Sequence, residues 1–239
     1  MIEPINSNRV VLVTGASRGI GKALAARFVE QGQTVFGLSR SESSIEDDGY
    51  HHIKADISNE SEVRGAFDTI RDHAGRLDVL INNAGLKTNG FALLTTSGQA
   101  NEMLTTNLLG AFMVTREAVK LMKRHQFGRV VSLSSVAVPM GGKGCAIYSA
   151  TKAGVTQLHH AASQEHAAEN ITFNTVGVSI FEESLMVDSI DPKALKSMRE
   201  QLIKPDSLTV DEILHAVAFF TAAAAANITN QIVYFGGVR

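Results

Sequence analysis

Short segments rich in β-branched residues alternate along this chain with longer segments whose apolar residues recur at helical spacing. Such alternation is typical of a parallel β-sheet with helices on both faces, because each parallel strand needs a long crossover connection to the next. Strands are predicted at residues 10–14, 34–38, 52–55, 79–82, 129–133, 172–176 and 231–234. Helices are predicted near residues 19–31, 60–73, 99–123, 148–168 and 210–225. The sequence therefore predicts a doubly wound, Rossmann-type α/β fold with a seven-stranded parallel sheet.

The length and composition of the chain are compatible with one folded domain. α/β folds of 239 residues often form a single unit, and a hydrophobic share of 44% with 19% charged residues can bury a sizeable core. No repeat, low-complexity tract or linker divides the sequence. We therefore expect a single domain over residues 1–239. Residues 179–207 are predicted to form a mobile lid over a site, with a short helix pair packed on the core as the alternative, and the two are compatible.

The charge pattern and the scarcity of cysteine limit the partners and the compartment. The formal net charge is −2 with both signs interspersed, so no basic surface is offered to nucleic acid or to an anionic membrane. Cys145 is the only cysteine, which excludes an intrachain disulfide and fits a reducing compartment. Residues 1–9 lack the apolar stretch of a secretory signal, and the apolar segment 217–226 is shorter than the roughly 20 residues that span a bilayer. We expect a cytoplasmic protein with no nucleic-acid or membrane partner.

A glycine-rich turn follows the first predicted strand and leads directly into the first predicted helix. Its sequence is Thr14-Gly15-Ala16-Ser17-Arg18-Gly19-Ile20-Gly21. Glycines let the backbone approach a pyrophosphate closely, and the helix N-terminus supplies free N–H groups and the positive end of the helix dipole. In this strand-turn-helix context the turn predicts a dinucleotide site rather than an ordinary tight turn. The predicted cofactor contacts here are Gly15, Ser17, Arg18, Gly19, Ile20 and Gly21.

The end of the second predicted strand indicates which dinucleotide binds. NAD sites usually place an acidic residue there, whereas this chain has Ser39 followed by Arg40. The guanidinium groups of Arg40 and Arg18 are suited to bidentate contacts with the 2′-phosphate of NADP. NADPH is therefore favoured over NADH. The alternative is that both arginines are solvated surface charges.

Tyr148 and Lys152 lie four residues apart at the start of a predicted helix, so their side chains share one face. A nearby ammonium favours the tyrosinate and is expected to lower the pKa of Tyr148 toward the working pH, as proton exchange with an alcohol or a carbonyl requires. Ser135 lies at the carboxyl end of the fifth predicted strand, where open α/β sheets bind ligands, and can hydrogen-bond the reacting oxygen. A tyrosine and a lysine at this spacing also occur without any function. The pair therefore indicates a catalytic site only together with Ser135 and the glycine-rich turn.

Several motifs occur along this chain in a particular order. They are the turn at residues 14–21, Asn82-Asn83-Ala84-Gly85, Asn107, Ser135, and Tyr148 with Lys152. Because these motifs occur together and in this order, the sequence resembles the short-chain dehydrogenase/reductase family. The resemblance covers nearly the whole chain and is strongest to the single-domain members, which include the β-ketoacyl-carrier-protein reductases. The resemblance implies a catalytic tetrad. In it, Tyr148 transfers the proton, Ser135 polarises the carbonyl, Lys152 holds the nicotinamide ribose and tunes Tyr148, and Asn107 supports a proton-relay water.

The same resemblance implies further cofactor contacts. Asp56 is implied to contact the adenine, and the other implied contacts along the cofactor are Ile57, Asn83, Ala84, Gly85 and Phe181. Because the nicotinamide supplies the hydride, no metal is required. The adjacent histidine pairs at 51–52 and 159–160 diverge in a strand or helix and make poor chelates, so they are expected at the surface or in packing.

Small residues mark the predicted helix at 148–168. They are Ala150, Ala153, Ala161, Ala162 and Ala167. Small side chains permit close helix approach, and the family resemblance implies a homotetramer, or a homodimer, with helices paired across two-fold axes. The alternative is that these alanines only pack on the sheet of their own chain.

The sequence departs from the family pattern after the sixth predicted strand. Val178 and Ser179 replace the expected proline and glycine, and Glu183 replaces a threonine that lines the nicotinamide end of the pocket. A carboxylate near a pyrophosphate is repelled, so either the loop shifts to present Ser184 or Glu183 points outward.

A second departure concerns an acidic carrier protein as partner. Glu169 lies where such reductases carry a basic residue, which weakens that assignment. Another basic face is available from Lys123, Arg124, Lys193, Lys196 and Arg199. The alternative is that these are solvated helix charges.

Together these features predict the NADPH-dependent reduction of a ketone, with a 3-oxoacyl thioester as one possible substrate and Tyr148 as proton donor. One alternative is the NAD(P)-dependent oxidation of a small alcohol, sugar or steroid by the same chemistry. The other is a non-catalytic NADP-binding sensor or scaffold, against which the intact Ser135, Tyr148, Lys152 and Asn107 argue.

Overall fold

The computed structural model describes residues 9–181 and 192–238 of the chain. Within these residues, seven parallel strands form one sheet in the order β3-β2-β1-β4-β5-β6-β7. The strands are β1 (Val10–Thr14), β2 (Thr34–Ser39), β3 (Tyr50–Lys54), β4 (Val79–Asn82), β5 (Gly128–Ser135), β6 (Ile171–Val178) and β7 (Ile232–Tyr234). The predicted doubly wound parallel sheet is confirmed. Its order reverses between β1 and β4, and a crevice opens at the carboxyl ends of these strands.

Helices cover both faces of the sheet. They are α1 (Gly19–Glu30), α2 (Glu60–Ala74), α3 (Ser97–Met103), α4 (Ala111–Arg124), α5 (Ala137–Met140), α6 (Ala146–Glu165), α7 (Pro192–Glu200) and α8 (Val210–Thr221). Leu12 packs in the apolar layer with α2, α4 and α6, while its neighbours Val11 and Val13 pack in the layer with α1 and α8. Strands β1 and β4, at the centre of the sheet, are buried along their whole length because helices cover both of their faces, whereas the edge strands β3 and β7 are partly exposed. No helix in the described residues is long and apolar enough to cross a membrane.

Several predicted elements differ from the structure in their extent, among them the helix predicted at 148–168, which is observed at Ala146–Glu165. The predicted helix at 99–123 is divided into α3 and α4 by a π-helical segment, Leu104–Gly110. The predicted helix at 210–225 ends at Thr221, because Ala222 is extended (ψ 148°) and leads into a short 3₁₀ turn. Strand β6 continues to Val178, which pairs with the end of β5. A proline at that position would have removed a backbone donor.

The predicted lid at residues 179–207 is described in part, since residues 182–191 lie outside the described residues. In its described part, α7 packs Leu195 and Met198 against Ile180 and Leu202. This agrees with the expected packing for one helix of the predicted pair, and the rest of the pair stays a prediction. The mobility of the lid stays a prediction.

Candidate active site

A cleft of about 300 Å³ opens at the carboxyl ends of β1, β2, β4, β5 and β6. It extends from the glycine-rich turn after β1 to the residues that follow β6. The predicted site residues that line it are Gly15, Ser17, Arg18, Gly19, Ile20, Ser39, Arg40, Asp56, Ile57, Asn83, Ala84, Gly85, Ser135, Tyr148, Lys152 and Phe181. Gly21 and Asn107 were also predicted, but they do not line the cleft.

The glycine-rich turn is held against the end of β4 by Asn83. The Asn83 amide donates to the carbonyl oxygens of Thr14 and Gly15 at 2.9 and 3.3 Å. Gly15 has a φ of 70°, which favours glycine. A Cβ on Gly21 would lie 2.3 Å from the carbonyl oxygen of Gly15, so Gly21 lets α1 close against the turn instead of contacting a ligand. No side chain caps the first turn of α1, which leaves backbone N–H groups available to a phosphate.

Arg40 and Asp56 lie together where β2 and β3 end. The Arg40 side chain is 67% exposed, and its guanidinium lies 3.9 Å from the Asp56 carboxylate. Ser39 is buried and donates its hydroxyl to the backbone oxygen of Ser41. Partial burial acts to raise the pKa of Asp56, but hydrogen bonds from Ser58 and the charge of Arg40 outweigh it and lower that pKa. An ionised Asp56 and an exposed Arg40 therefore define this end of the cleft.

Tyr148, Ser135 and Lys152 meet farther along the same sheet edge, at the end of β5. The Ser135 hydroxyl hydrogen-bonds the Tyr148 phenol, and Lys152 donates to the backbone oxygen of Leu133 at 2.8 Å. Burial raises the pKa of Tyr148 to about 12, although the hydrogen bond with Ser135 opposes the rise. Burial also lowers the pKa of Lys152 to about 8. The expected lowering of the Tyr148 pKa is therefore wrong, because desolvation of the phenol dominates and the ammonium is directed to Leu133.

Asn107 lies in the π-helical segment and holds the chain that follows β4. Its Oδ1 accepts from the N–H of Leu86 at 2.8 Å, and its Nδ2 donates to the carbonyl oxygen of Leu86 at 2.8 Å and to Thr151 Oγ1 at 3.1 Å. A Cβ on Gly85 would lie 3.2 Å from Asn107 Oδ1 and 3.4 Å from Lys152 Nζ, so these groups adjoin. Because both amide protons are used within the chain, the side chain of Asn107 positions Leu86. The implied support of a relay water stays a prediction.

Several further residues that line the cleft were not named as site residues from the sequence. They include Leu86, Lys87 and Thr106, together with Ser179, Ile180 and Met198 of the predicted lid. Lys87 closely follows the Asn82-Asn83-Ala84-Gly85 tetrapeptide after the carboxyl end of β4. Because ligands bind at this edge of the sheet, its position in the sequence could have indicated that it lines the cleft. Met198 belongs to the segment 179–207 that is predicted as a lid over a site, whereas Thr106 comes from a helical segment that reaches the cleft only through tertiary packing, so nothing local indicated it.

The residues that depart from the family pattern fall partly inside the cleft. Val178 pairs with Ser135 in the sheet, and Ser179 and Phe181 line the cleft. Glu183 and Ser184, whose orientations the sequence left open, lie outside the described residues.

Glu169 forms a local ion-pair cluster on the surface. Its carboxylate lies 2.5 Å from Lys123 Nζ and 2.6 Å from His166 Nδ1. Lys123, one member of the predicted alternative basic face, is therefore neutralised within the chain.

One member of each histidine pair packs within the chain, and His160 is exposed. The buried His159 donates from Nδ1 to the carbonyl oxygen of Asn174 at 3.2 Å, and the ring of His51 lies 4.2 Å from the ring of His73. Cys145 is half-buried in the cluster around Tyr148. Across residues 9–181 and 192–238, no three His, Cys, Asp or Glu side chains lie together as metal ligands.

The chemistry of the cleft fits a nicotinamide dinucleotide. The free N–H groups of α1 suit a pyrophosphate, and the ionised Asp56 suits the amino group of an adenine. Tyr148 and Ser135 then provide a phenol and a hydroxyl at the part of the cleft beyond β4.

The sequence matches the short chain dehydrogenase family over residues 9–194. A 3-oxoacyl-[acyl-carrier-protein] reductase of Vibrio cholerae is 32% identical over 235 residues, which cover 96% of each chain. A 3-oxoacyl-[acyl-carrier-protein] reductase of Mycobacterium avium is 30% identical over 234 residues, covering 98% of this chain and 91% of the relative. The ligand-free structure of the aldohexose dehydrogenase of Thermoplasma acidophilum is 28% identical with a TM-score of 0.86, covering 96% of this chain and 93% of that one. The matched segment includes the glycine-rich turn, Ser135, Tyr148 and Lys152.

Proposed function

Because this chain belongs to the short-chain dehydrogenase family, we propose that it reduces a ketone to the corresponding alcohol with NADPH. It is an oxidoreductase of the short-chain dehydrogenase type. The observation that supports the proposal is that Tyr148, Ser135 and Lys152 line the same cleft as the glycine-rich turn. A phosphate-binding turn and a proton donor in one cleft can hold a dinucleotide and protonate a carbonyl beside it.

Tyr148 is the proton donor in this proposal. A bound nicotinamide supplies the hydride, which brings both electrons of the reduction to the carbonyl carbon. Tyr148 donates its phenolic proton to the carbonyl oxygen, and Ser135 donates a hydrogen bond to the same oxygen. The Ser135 Oγ accepts from the N–H of Ala137 at 3.1 Å, so its own proton is directed into the cleft, to the Tyr148 oxygen here and to the carbonyl oxygen of a bound ketone in this proposal. The pKa of Tyr148, raised to about 12, keeps the phenol protonated at neutral pH, as reduction requires. Lys152 lies beside Gly85 and is proposed to hold the nicotinamide ribose.

Charge at the β2 end of the cleft supports NADPH over NADH. Arg18 and Arg40 both line the cleft, and Ser39 occupies the position where an acidic residue would repel a 2′-phosphate. Asp56 is the only carboxylate in the described lining, and it lies beside Arg40.

The relatives indicate two substrate classes. The Vibrio cholerae and Mycobacterium avium proteins are reductases of 3-oxoacyl groups, so a 3-oxoacyl thioester is the first substrate class that we propose. Docking of an acyl carrier protein has less support, because Glu169 neutralises Lys123. The aldohexose dehydrogenase favours sugar oxidation as a second candidate, with Tyr148 as the proton acceptor.

We also propose that the chain works as one domain and assembles through α6 as a homodimer or homotetramer. Ala150, Ala153 and Ala161 are exposed on α6. Leu109 and Phe112, on the adjoining π-helical segment and α4, are 47% and 39% exposed. Small and apolar exposed side chains permit a second copy to pack closely.

The test is turnover of ketones and 3-oxoacyl thioesters by wild type and by Tyr148→Phe, followed by NADPH absorbance. Tyr148→Phe removes only the hydroxyl, so we expect kcat to fall by roughly 10²–10⁴-fold while NADPH fluorescence titration shows unchanged binding. Tyr50→Phe is the matched control, because Tyr50 lies outside the cleft lining. Near-normal turnover by Tyr148→Phe overturns the mechanism. NADPH binding without turnover of any substrate by wild type favours a sensor or scaffold.

A further inference from the structure

Lys87 places a positive charge beside Tyr148 that the proposed function does not use. It lines the cleft, and its Nζ lies 5.6 Å from the centroid of the Tyr148 ring. The side chain is half-buried. Within residues 9–181 and 192–238, its ammonium takes part in no ion pair and no hydrogen bond. The charge is therefore available to a bound molecule.

The backbone that carries Lys87 is fixed on both sides. Asn107 bonds both the N–H and the carbonyl oxygen of Leu86, the preceding residue. Gly90 donates its N–H to the carbonyl oxygen of Gly144 at 3.1 Å, which ties the segment to the loop before α6. A charge on an anchored segment is positioned before the ligand arrives, so less entropy is lost on binding.

The other charged groups of the described cleft lining are committed elsewhere. Arg18 and Arg40 lie at the dinucleotide end, where Asp56 also lies. Lys152 is buried and directed to Leu133. Lys87 is thus the cation of the described lining that faces the reacting end of the cleft. A single ammonium matches the single negative charge of a carboxylate.

We propose that Lys87 binds a carboxylate of the substrate. The preferred substrates are then free 2-oxo or 3-oxo acids, in place of the 3-oxoacyl thioesters that the relatives suggest. This inference rests on the proposed reduction at Tyr148. A carbonyl that accepts a hydrogen bond from the Tyr148 hydroxyl brings its near substituents toward the ammonium above the same ring. The ketone carbon of a 3-oxo acid gains the hydride and its oxygen gains the proton. The product is a 3-hydroxy acid, and the carboxylate is unchanged.

The test compares 3-oxobutanoate with ethyl 3-oxobutanoate, which has the same ketone without the charge. Wild type is expected to have the higher kcat/KM for 3-oxobutanoate. Lys87→Met keeps most of the side-chain volume but removes the ammonium, so kcat/KM for 3-oxobutanoate should fall by roughly 10- to 100-fold, mostly through KM. The value for the ethyl ester should stay within about twofold, because no charge-assisted contact is lost.

Two further variants control for charge and folding. Lys143→Met makes the same change in the neighbouring loop, outside the cleft lining, and should leave both substrates unaffected. Lys87→Arg keeps a cation and should retain the preference for the carboxylate.

Equilibrium binding separates this inference from the proposed function. Calorimetric titration of the NADPH complex with 3-hydroxybutanoate and with its ethyl ester should show that wild type prefers the acid and that Lys87→Met does not. If wild type shows this binding preference but turns over no ketone, the proposed function is contradicted while the carboxylate site is supported. Two results overturn the inference. In one, Lys87→Met changes neither substrate; in the other, it lowers both equally, which shows that Lys87 acts on the Tyr148 ring.

Discussion

Arg40 is the residue whose charge is expected to contribute most directly to the preference for NADPH over NADH. Its exposed guanidinium lies 3.9 Å from Asp56 and is free to turn toward a phosphate. Arg40→Ala should weaken NADPH binding by roughly tenfold and leave NADH binding nearly unchanged, since only NADPH carries the 2′-phosphate. Fluorescence titration with both dinucleotides measures the ratio of the two dissociation constants.

Lys54→Ala is the matched control for Arg40→Ala. Lys54 is exposed, pairs with Glu42 at 3.2 Å and does not line the cleft. Its removal also takes one positive charge from this region, but the preference for NADPH should persist. Wild type that binds NADH as tightly as NADPH, or an unchanged ratio in Arg40→Ala, contradicts the assignment.

Single residues could be placed from the sequence where a motif stands at the end of a strand. Arg40 and Ser135 lie in the cleft because the carboxyl ends of parallel strands share one edge, and Tyr148 joins them from the first turn of α6. The direction of the Tyr148 pKa shift was not predictable, because it depends on how completely the surrounding chain buries the phenol. The position of Lys87 above that ring likewise depends on a contact between distant segments.

Helix α6 is joined to the sheet by a buried histidine. His159 donates from Nδ1 to Asn174 on β6, and its Nε2 accepts from the hydroxyl of Ser132 on β5 at 2.9 Å. Burial lowers the pKa of His159 to about 4. The pKa of an unfolded histidine is about 6.5, so between these values the unfolded chain binds a proton that the folded chain does not. Stability contributed by neutral His159 is therefore present above about pH 6.5 and is lost as the pH falls toward 4.

The difference between the pKa of His159 in the folded and unfolded chain predicts that the free energy of unfolding falls by roughly 3 kcal/mol between pH 7 and pH 4 from this residue alone. Urea unfolding at several pH values gives the free energy of unfolding as a function of pH. The contribution of His159 is the difference between the pH dependence of wild type and that of His159→Gln. The variant is expected to start less stable and to lose less stability on acidification. His125→Gln, at an exposed position, should follow wild type. Parallel pH profiles for wild type and His159→Gln show that the residue does not titrate as described.

Strand and helix order could be predicted because apolar periodicity distinguishes buried strands from amphipathic helices. The π-helical segment Leu104–Gly110 could not, since its apolar spacing continues that of α3 and α4. It brings Asn107 to Leu86, a contact between residues that are distant in sequence. π-helical turns often occur at functional sites, and here the turn orients the residue that holds the Lys87 segment.

At the scale of the whole molecule, the faces of α6 have different environments. Lys152, Val155 and His159 are buried toward the sheet, whereas Ala150 and Ala153 are exposed. Ala162 packs on the core of its own chain, so the alternative of internal packing holds for that alanine only, and Ala161 and Ala167 are exposed. The catalytic residues and the proposed interface therefore share one helix. Assembly would restrain the helix that carries Tyr148 and Lys152.

The assembly is tested by placing a charge on the exposed face of α6. We expect light scattering to give two or four times the monomer mass for wild type at micromolar concentration. Ala153→Arg puts a bulky cation in the middle of the face and should shift the mass toward the monomer, because an unpaired charge is costly to bury between packed helices. Ala167→Arg, also exposed but beyond the end of α6, should keep the wild-type mass. A monomeric wild type rejects the assembly, and an unchanged mass for Ala153→Arg moves the interface to another face of the molecule.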